Sequence, residues 1–332
     1  MLFFNRERMA EKKKNAKVSV IVPVYNVEKY IARCLHTLFS QTFDDIEYIF
    51  VDDCSEDSSV EIIESVLKKY PHRQNQVKIL RHENNKGVGS SRLTGILAAE
   101  GEYLIHCDPD DYLDTTIYEK LYHKIKRTDA DIAICNSLRI DANETHENIN
   151  AEYNTPDEYL SNWFTSNCNY YPLWDKMIRR SLIIDNKILP REGVNILEDF
   201  ECVVKAFYYA EKIVVEQSIL YYYCMRENSI TNLTLTDDIV KNKLEVAARI
   251  GDFLRFTKFR YFSNNFKFHI KFILKSYYHD KRDEWFKLFP ECHRYVMSYK
   301  DNPFKVRLLW FLILQNKHIF KLSQKMFDFF NK

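Results

Sequence analysis

A chain of 332 residues with a formal net charge of +1 offers no global electrostatic case for nucleic acid, and its 46% hydrophobic content is that of an ordinary folded protein with room for one large domain or two smaller ones. Its eight cysteines show no CxxC pair and no metal-ligand spacing, which excludes a disulfide scaffold or zinc module and fits a reducing cytoplasm best. The N-terminal Met1-Leu-Phe-Phe-Asn-Arg lacks a signal-peptide core, and the apolar run 308–314 falls far short of the ~20 residues a bilayer span needs, so neither a leader nor a spanning segment is expected.

Residues 1–16 form a basic lead-in through Lys12 to Lys14. Residues 18–22, Val-Ser-Val-Ile-Val, read as a strand, and Pro23-Val-Tyr-Asn26 turns it into a helix with Tyr30, Ile31, Cys34, Leu35 and Leu38 at helical spacing. A second strand, 46–51, stops on Asp52-Asp53, and Ser55 to Ser58 lead into a helix with Ile62, Ile63, Val66 and Leu67 on one face. A third strand, 77–80, precedes Asn84-Asn-Lys-Gly-Val-Gly89 and a helix over 90–99. The fourth, 103–107, ends abruptly in Asp108, Asp110 and Asp111; Pro109 breaks the extended pattern and Asp114 can cap the helix that follows.

Strand and helix alternating at this cadence argue for a parallel sheet wound by right-handed crossovers. Ligands of such sheets sit beyond the carboxyl ends of the strands, where Tyr25, Asp53, the Lys86–Arg92 stretch and Asp108/Asp110 all fall. Carboxylates crowded on one turn repel unless a cation or donor groups offset them, and oxygen ligands suit Mg²⁺ or Mn²⁺ shared with a phosphate-bearing substrate. The plainer alternative is a solvated acidic turn followed by a helix cap.

Four segments in this order resemble the family 2 glycosyltransferases, GT-A enzymes that use nucleotide-diphosphate sugars. They are Val18-Ser-Val-Ile-Val-Pro-Val-Tyr-Asn26, Val51-Asp-Asp-Cys-Ser-Glu-Asp57, Asn85-Lys-Gly-Val-Gly-Ser-Ser-Arg92 and Gly101-Glu-Tyr-Leu-Ile-His-Cys-Asp-Pro-Asp-Asp-Tyr112. The resemblance spans roughly the first two-thirds of the chain. It implies an α/β fold, a GT-A (Rossmann-like), mostly parallel sheet flanked by helices over 17–236; the residues beyond, 237–332, themselves read as a helical, basic-aromatic C-terminal extension. It also implies that Pro23, Tyr25 and Asn26 line the donor, with the Tyr25 ring against the base. Asp53 would accept hydrogen bonds from the nucleobase, with Asp52 as the structural member of the pair. Arg92 would meet the donor near its diphosphate, although Leu93 stands where Asn is common; Lys86 is the weaker cation. Asp108 and Asp110 resemble the DxD motif, Asp110 ligating a divalent metal and Asp108 the ribose or a metal-bound water, with Asp111 supporting either or facing solvent.

Further along, 131–135 reads as a strand and 141–158 as a polar, acidic surface loop. Tyr171-Pro-Leu-Trp-Asp-Lys-Met-Ile-Arg-Arg-Ser181 is similar to a family segment that suggests an acceptor-side wall on Trp174, with Lys176 beneath; Asp175 replaces the usual Asn. A core role for Trp174 fits equally well. Glu198-Asp199 opens a helix running through Val203, Ala206 and Phe207, which alone reads as favourable charge at a helix N-terminus. The resemblance makes Asp199 the general base and Glu198 its orienting partner. Leu220 to Thr231 resembles a segment in which Arg226 and Ser229 close over the diphosphate; a strand with a polar exit is the competing reading. From Asp237 onward amphipathic helices are expected over 240–253 and 262–278, and from Lys300 seven Lys/Arg face two Asp among Phe, Trp and Leu. Such a stretch can lie on an anionic membrane or pack on the domain with snorkelling lysines.

Taken together, the resemblance implies a metal-dependent, inverting glycosyltransferase of hexosyltransferase type. It would be cytoplasmic or peripheral on the inner face of the plasma membrane, and would move a sugar from a UDP-sugar donor to a glycan or lipid-linked acceptor. A sugar nucleotidyltransferase would show a Gly-rich, cation-bearing loop after the first strand, which Pro23-Val-Tyr-Asn26 does not match. A binding or scaffold module with a decayed site is opposed by the intact Asp110 and Asp199.

Overall fold

Short apolar strands separated by single-face helices must bury both faces of a sheet. The computed structural model describes residues 16–165, 172–226, 235–278 and 280–298, with 307, 308, 311 and 314 near the end. The strands are β1 (Val18–Val24), β2 (Ile46–Asp52), β3 (Val77–Arg81), β4 (Tyr103–His106), β5 (Tyr112–Leu113), β6 (Ile132–Ile140), β7 (Thr145–Asn148), β8 (Lys176–Arg179) and β9 (Ile213–Cys224). They form one sheet in the order β3-β2-β1-β4-β8-β6-β9-β5, with β7 paired to β6. The first four lie parallel, as their cadence implies. Beyond β4 the sheet is mixed: β8 runs antiparallel to both β4 and β6, β9 parallel to β6, and β5 antiparallel to β9.

Between the strands run α1 (Ile31–Phe39), α2 (Ser59–Leu67), α3 (Val88–Ala98), α4 (Ile117–Thr128), α5 (Pro156–Thr165), α6 (Arg180–Asp185) and α7 (Glu198–Tyr209). After β9 come α8 (Asp237–Leu254), α9 (Arg260–Ile273) and α10 (Arg282–Lys287). Alternate residues of each strand feed two cores. Val20, Val22, Tyr48 and Phe50 pack with α1, α2 and α4 on one face. Ile21, Ile49 and Val51 face α3 and a layer built from α5 to α9. Val240, Val246, Ile250 and Phe266 belong to that second core beside Phe200 and Val203, so the packing is continuous across residue 237, where a separate helical region is expected from sequence.

Three elements depart from the sequence expectations. β1 runs on through Pro23, which pairs in register with Val51. The Ile21 carbonyl accepts from Cys107 N, so odd residues of β1 face β4; β4 has ended before Pro23, and its missing N–H costs no ladder bond. The acidic stretch 141–158 is not wholly loop: it holds β7, an edge strand with exposed side chains, and the start of α5. β8 has only four residues and is led by a lysine, which hid it. Among the described residues no helix is long and apolar enough to cross a membrane. The lead-in up to residue 15, Ser229, and nearly all of the basic-aromatic tail lie outside the described residues.

Candidate active site

The carboxyl ends of β2 and β4 deliver their carboxylates to one rim of the sheet, and the loops there are fastened by those carboxylates. Asp52 is buried, accepting from Ser55 N at 2.9 Å and pairing with Arg81 Nε at 3.1 Å. Asp53 is equally committed: it accepts from Lys86 N (2.9 Å) and Gly87 N (2.6 Å), and meets His82 Nδ1 at 2.6 Å. His82 in turn touches Thr94 Oγ1 at 2.9 Å. The structural part expected of Asp52 alone is therefore shared by Asp53, whose oxygens already hold the Gly-containing loop. Asn26 adopts a left-handed φ of 49° and accepts from Glu56 N at 2.9 Å, so its side chain shapes the turn out of β1. Tyr25 beside it is 45% exposed and offers an open ring.

The two glycines of the 84–89 loop serve close packing. A Cβ on Gly87, where φ is 88°, would fall 2.1 Å from Asn195 Oδ1, and one on Gly89 would lie 2.2 Å from the Val194 carbonyl. The segment before α7 thus lies across a surface that only glycine leaves flat. Lys86 is exposed, as a solvated loop charge would be.

The acidic turn after β4 sends its carboxylates in three directions. Asp111 is fully buried, accepting from Tyr221 Oη at 2.7 Å and Cys224 N at 2.8 Å. It neither faces solvent nor turns toward Asp110, because β9 supplies its donors. Tyr221 Oη also receives the Asp108 N–H at 3.1 Å, which fixes the turn at two points. Trp174 stacks on Tyr221 at 3.9 Å and is 4% exposed, so it packs beneath the turn rather than lining an open wall. Asp110 forms an ion pair with Arg226, whose guanidinium lies 4.5 Å over the Tyr30 ring. Arg33, unremarked in the sequence, donates to the Asp110 carbonyl at 2.9 Å and sits 4.7 Å over Tyr112. Burial and the neighbouring Asp108 push the Asp110 carboxyl up, against the pull of Arg226.

The resemblance would set Arg92 near the donor diphosphate. In the structure it is buried, donating to Glu198 through one Nη and to Asp108 Oδ1 through the other at 3.1 Å. Burial alone would lower its pKa, but Glu198, Asp108 and Asp199 hold it firmly protonated. Glu198 is buried and pushed up to about 7 by burial, with Arg92 opposing. Asp199 is half-buried; one oxygen accepts from Phe200 N at 2.7 Å, and among the described residues the other takes no hydrogen bond. Burial raises its pKa too, with Arg92 and the charge of Lys176 pulling it down. Lys176 lies buried below, donating to the Pro172 carbonyl at 2.9 Å and to Asp175 at 2.6 Å. Leu197 enters α7 in the left-handed region at φ 63°, a conformation costing a side-chain-bearing residue about 1–2 kcal/mol. Its side chain packs on the second core and its carbonyl accepts from Glu201 N at 3.1 Å, which fixes the turn immediately before Glu198 and Asp199.

Among the described residues no three His, Cys, Asp or Glu side chains converge as a metal cage. With Asp111 held by β9, Asp108 and Asp110 are the two carboxylates of the turn left to meet a cation, and here each faces a guanidinium, Arg92 and Arg226 respectively. Two carboxylates suit Mg²⁺ or Mn²⁺, which keep waters and share phosphate oxygens.

A family model described as glycosyl transferase family 2 matches residues 19–186. The glycosyltransferase GlyG of Streptococcus pneumoniae serotype 4 is 32% identical over 241 residues, 68% of this chain and 77% of that protein. The uncharacterized glycosyltransferase EpsJ of Bacillus subtilis is 32% identical over 223 residues, 65% of this chain and 63% of EpsJ, so the chain spans a little under two-thirds of EpsJ's length. Among solved structures, S. aureus TarS 1–349 in complex with UDP-GlcNAc superposes with a TM-score of 0.67 at 22% identity, covering 85% of this chain and 81% of that one. That likeness establishes the GT-A fold, and the sequence matches establish the lineage: the chain belongs to glycosyl transferase family 2.

Proposed function

We propose that the protein transfers a sugar, with inversion, from a UDP-linked donor to a hydroxyl of a glycan or lipid-linked acceptor. The observation that carries this reading is the Arg92 bridge. It brings Asp108, on the turn that would face the diphosphate, against Glu198, whose neighbour Asp199 keeps one carboxylate oxygen without a hydrogen bond among the described residues. The acceptor O–H gives its proton to Asp199 as its oxygen bonds to the anomeric carbon. On the opposite face the bond from that carbon to the diphosphate oxygen breaks, both electrons leaving with the nucleotide. One base and one displacement give inversion. A divalent ion held by Asp110 and Asp108 would neutralise the charge gathering on the diphosphate.

Pro23, Tyr25 and Asn26 form the donor side, with the exposed Tyr25 ring for the base. Asp53 shapes that side by fixing the 84–89 loop, and its carboxylate is available to a nucleobase only beside the donors it already holds. Arg226 exchanges Asp110 for the diphosphate as donor enters, with Ser229 following it in the chain. UDP is supported as the nucleotide by the TarS structure, solved with UDP-GlcNAc. A membrane-peripheral setting is supported by the turn between α8 and α9, where Phe256 is 93% exposed among the exposed Arg255, Lys258 and Arg260. The test is a panel of nucleotide sugars with Mn²⁺, following nucleotide release. UDP release from one UDP-sugar supports the assignment, and the absence of both UDP binding and release across the panel overturns it.

A further inference from the structure

We infer that Asn242 and Arg249 of α8 are positioning residues for the Glu198–Asp199 pair, an inference that rests on Asp199 being the base. They stand seven residues apart on a helix and so share one face. Each reaches a different part of the entry into α7. Asn242 Oδ1 accepts the backbone N–H of Asn195 at 2.7 Å, three residues before Glu198. Asn195 itself is seated in the notch of Gly87 and receives Gly89 N at 3.4 Å. Arg249 donates through Nε at 2.8 Å and Nη2 at 2.6 Å to Glu201 Oε2, and Lys205 Nζ meets the other oxygen of Glu201 at 2.6 Å. Glu201 is 5% exposed, and these donors outweigh its burial to hold its carboxyl below the ordinary range.

Glu198 and Glu201 lie three residues apart, on one side of the first turn of α7. One is gripped by Arg92 of α3 and the other by Arg249 of α8, so the roll of the helix about its axis is set by one element that precedes it in the chain and one that follows it. Asp199 lies away from that side, and its direction follows from the roll. Asn242 fixes the approach and Arg249 the rotation, while neither hydrogen-bonds to Asp199. A helix that looks in sequence like the start of an appended region is thereby part of the catalytic frame.

The test is a kinetic cycle on the full chain with a saturating acceptor. Asn242→Ala removes one hydrogen bond; Glu201→Gln/Arg249→Gln removes the second grip and leaves only the partly exposed Lys205 and the exposed Glu245 without these partners. Each is expected to lower kcat at least 10-fold, while KM for donor, UDP affinity by calorimetry and the circular dichroism spectrum stay unchanged, since an ångström of misplacement can cost ~10²-fold in rate. Arg249→Lys, which keeps the charge, should recover part of the loss. In the Asp199→Asn background Asn242→Ala should cost nothing further, because the group it positions is gone. Folded variants with undiminished kcat while Asp199→Asn is inactive would overturn the positioning role alone. Full transfer by Asp199→Asn would instead overturn the base assignment.

Discussion

Arg92 and Glu198, 106 residues apart in the chain, form an ion pair in which both side chains are shielded from solvent. The same guanidinium reaches Asp108, so one side chain ties the end of β4 to the start of α7. Breaking a buried pair from one side is costly because a charge is stranded, typically by 3–5 kcal/mol. Arg92→Met should therefore lower the unfolding free energy measured by denaturant titration by about 3–5 kcal/mol. Arg92→Met/Glu198→Leu should recover much of the stability and none of the transfer activity. A single mutant that melts like the parent shows that the bridge contributes nothing to the fold.

A second prediction concerns Asp110, whose ion pair is with Arg226. A divalent cation and this guanidinium compete for one carboxylate. Arg226→Gln should tighten Mn²⁺ binding when no nucleotide is present and weaken UDP binding when Mn²⁺ is. Asp110→Ala, or EDTA on the parent, should weaken UDP binding alike. Calorimetry resolves all four arms; UDP affinity indifferent to both EDTA and Asp110→Ala removes the metal from the proposal.

How much of this was legible beforehand follows the range of the interactions. The β1 to β4 cadence, the carboxylates at the ends of β2 and β4, and Glu198-Asp199 opening α7 are local patterns, and they were readable because strand and helix periods are local. Partner choice was not. That Asp53 would bind its own loop, that Arg92 would take Glu198, and that Asp110 would take Arg226 depend on contacts spanning tens to more than a hundred residues. β9 shows the limit within a single strand. Its apolar signal is interrupted at Glu216-Gln217-Ser218, where the pairing with β6 shifts register around Asn136, and only the stretch from Leu220 looked extended. Tyr221, which secures Asp108 and Asp111, was visible only as one of three tyrosines; alternation along β9 sets it apart from Tyr222, which stacks on Tyr112 at 4.6 Å.

The turn between α8 and α9 yields a third prediction. Phe256 is 93% exposed and Tyr261 40%, with basic residues between them. Lys258 also pairs with Asp157, an exposed contact that contributes little and leaves the lysine able to turn elsewhere. Basic side chains add roughly 1 kcal/mol each near an anionic surface, and insertion of one phenylalanine adds a similar amount or more. Phe256→Ser should weaken cosedimentation with phosphatidylglycerol vesicles on the order of 10-fold, and raised salt should weaken the parent as well. Hydrolysis of donor in solution should be unaffected. Equal sedimentation of variant and parent would show that this turn does not contact the bilayer.

The last prediction separates Glu198 from Asp199. Asp199 must be ionised to accept a proton, and burial raises its pKa, so the base is lost at a higher pH than an ordinary carboxylate would be. The acid limb of kcat/KM for transfer should accordingly lie above the usual aspartate range near 4, activity being present above it and lost as pH falls through it. Asp199→Asn keeps the shape and can still accept from Phe200 N, but has no carboxylate to take the proton. Its kcat should fall by roughly 10²–10⁴ with KM for donor nearly unchanged, and the acid limb should vanish from what remains. Glu198→Gln keeps that base while breaking the pair with Arg92, so it should melt earlier, lose less in kcat, and retain an acid limb. Steady-state rates across pH on both variants, with melting curves beside them, decide the roles. If Glu198→Gln abolishes the limb and Asp199→Asn preserves it, Glu198 takes the proton and Arg92 is what holds that base in place.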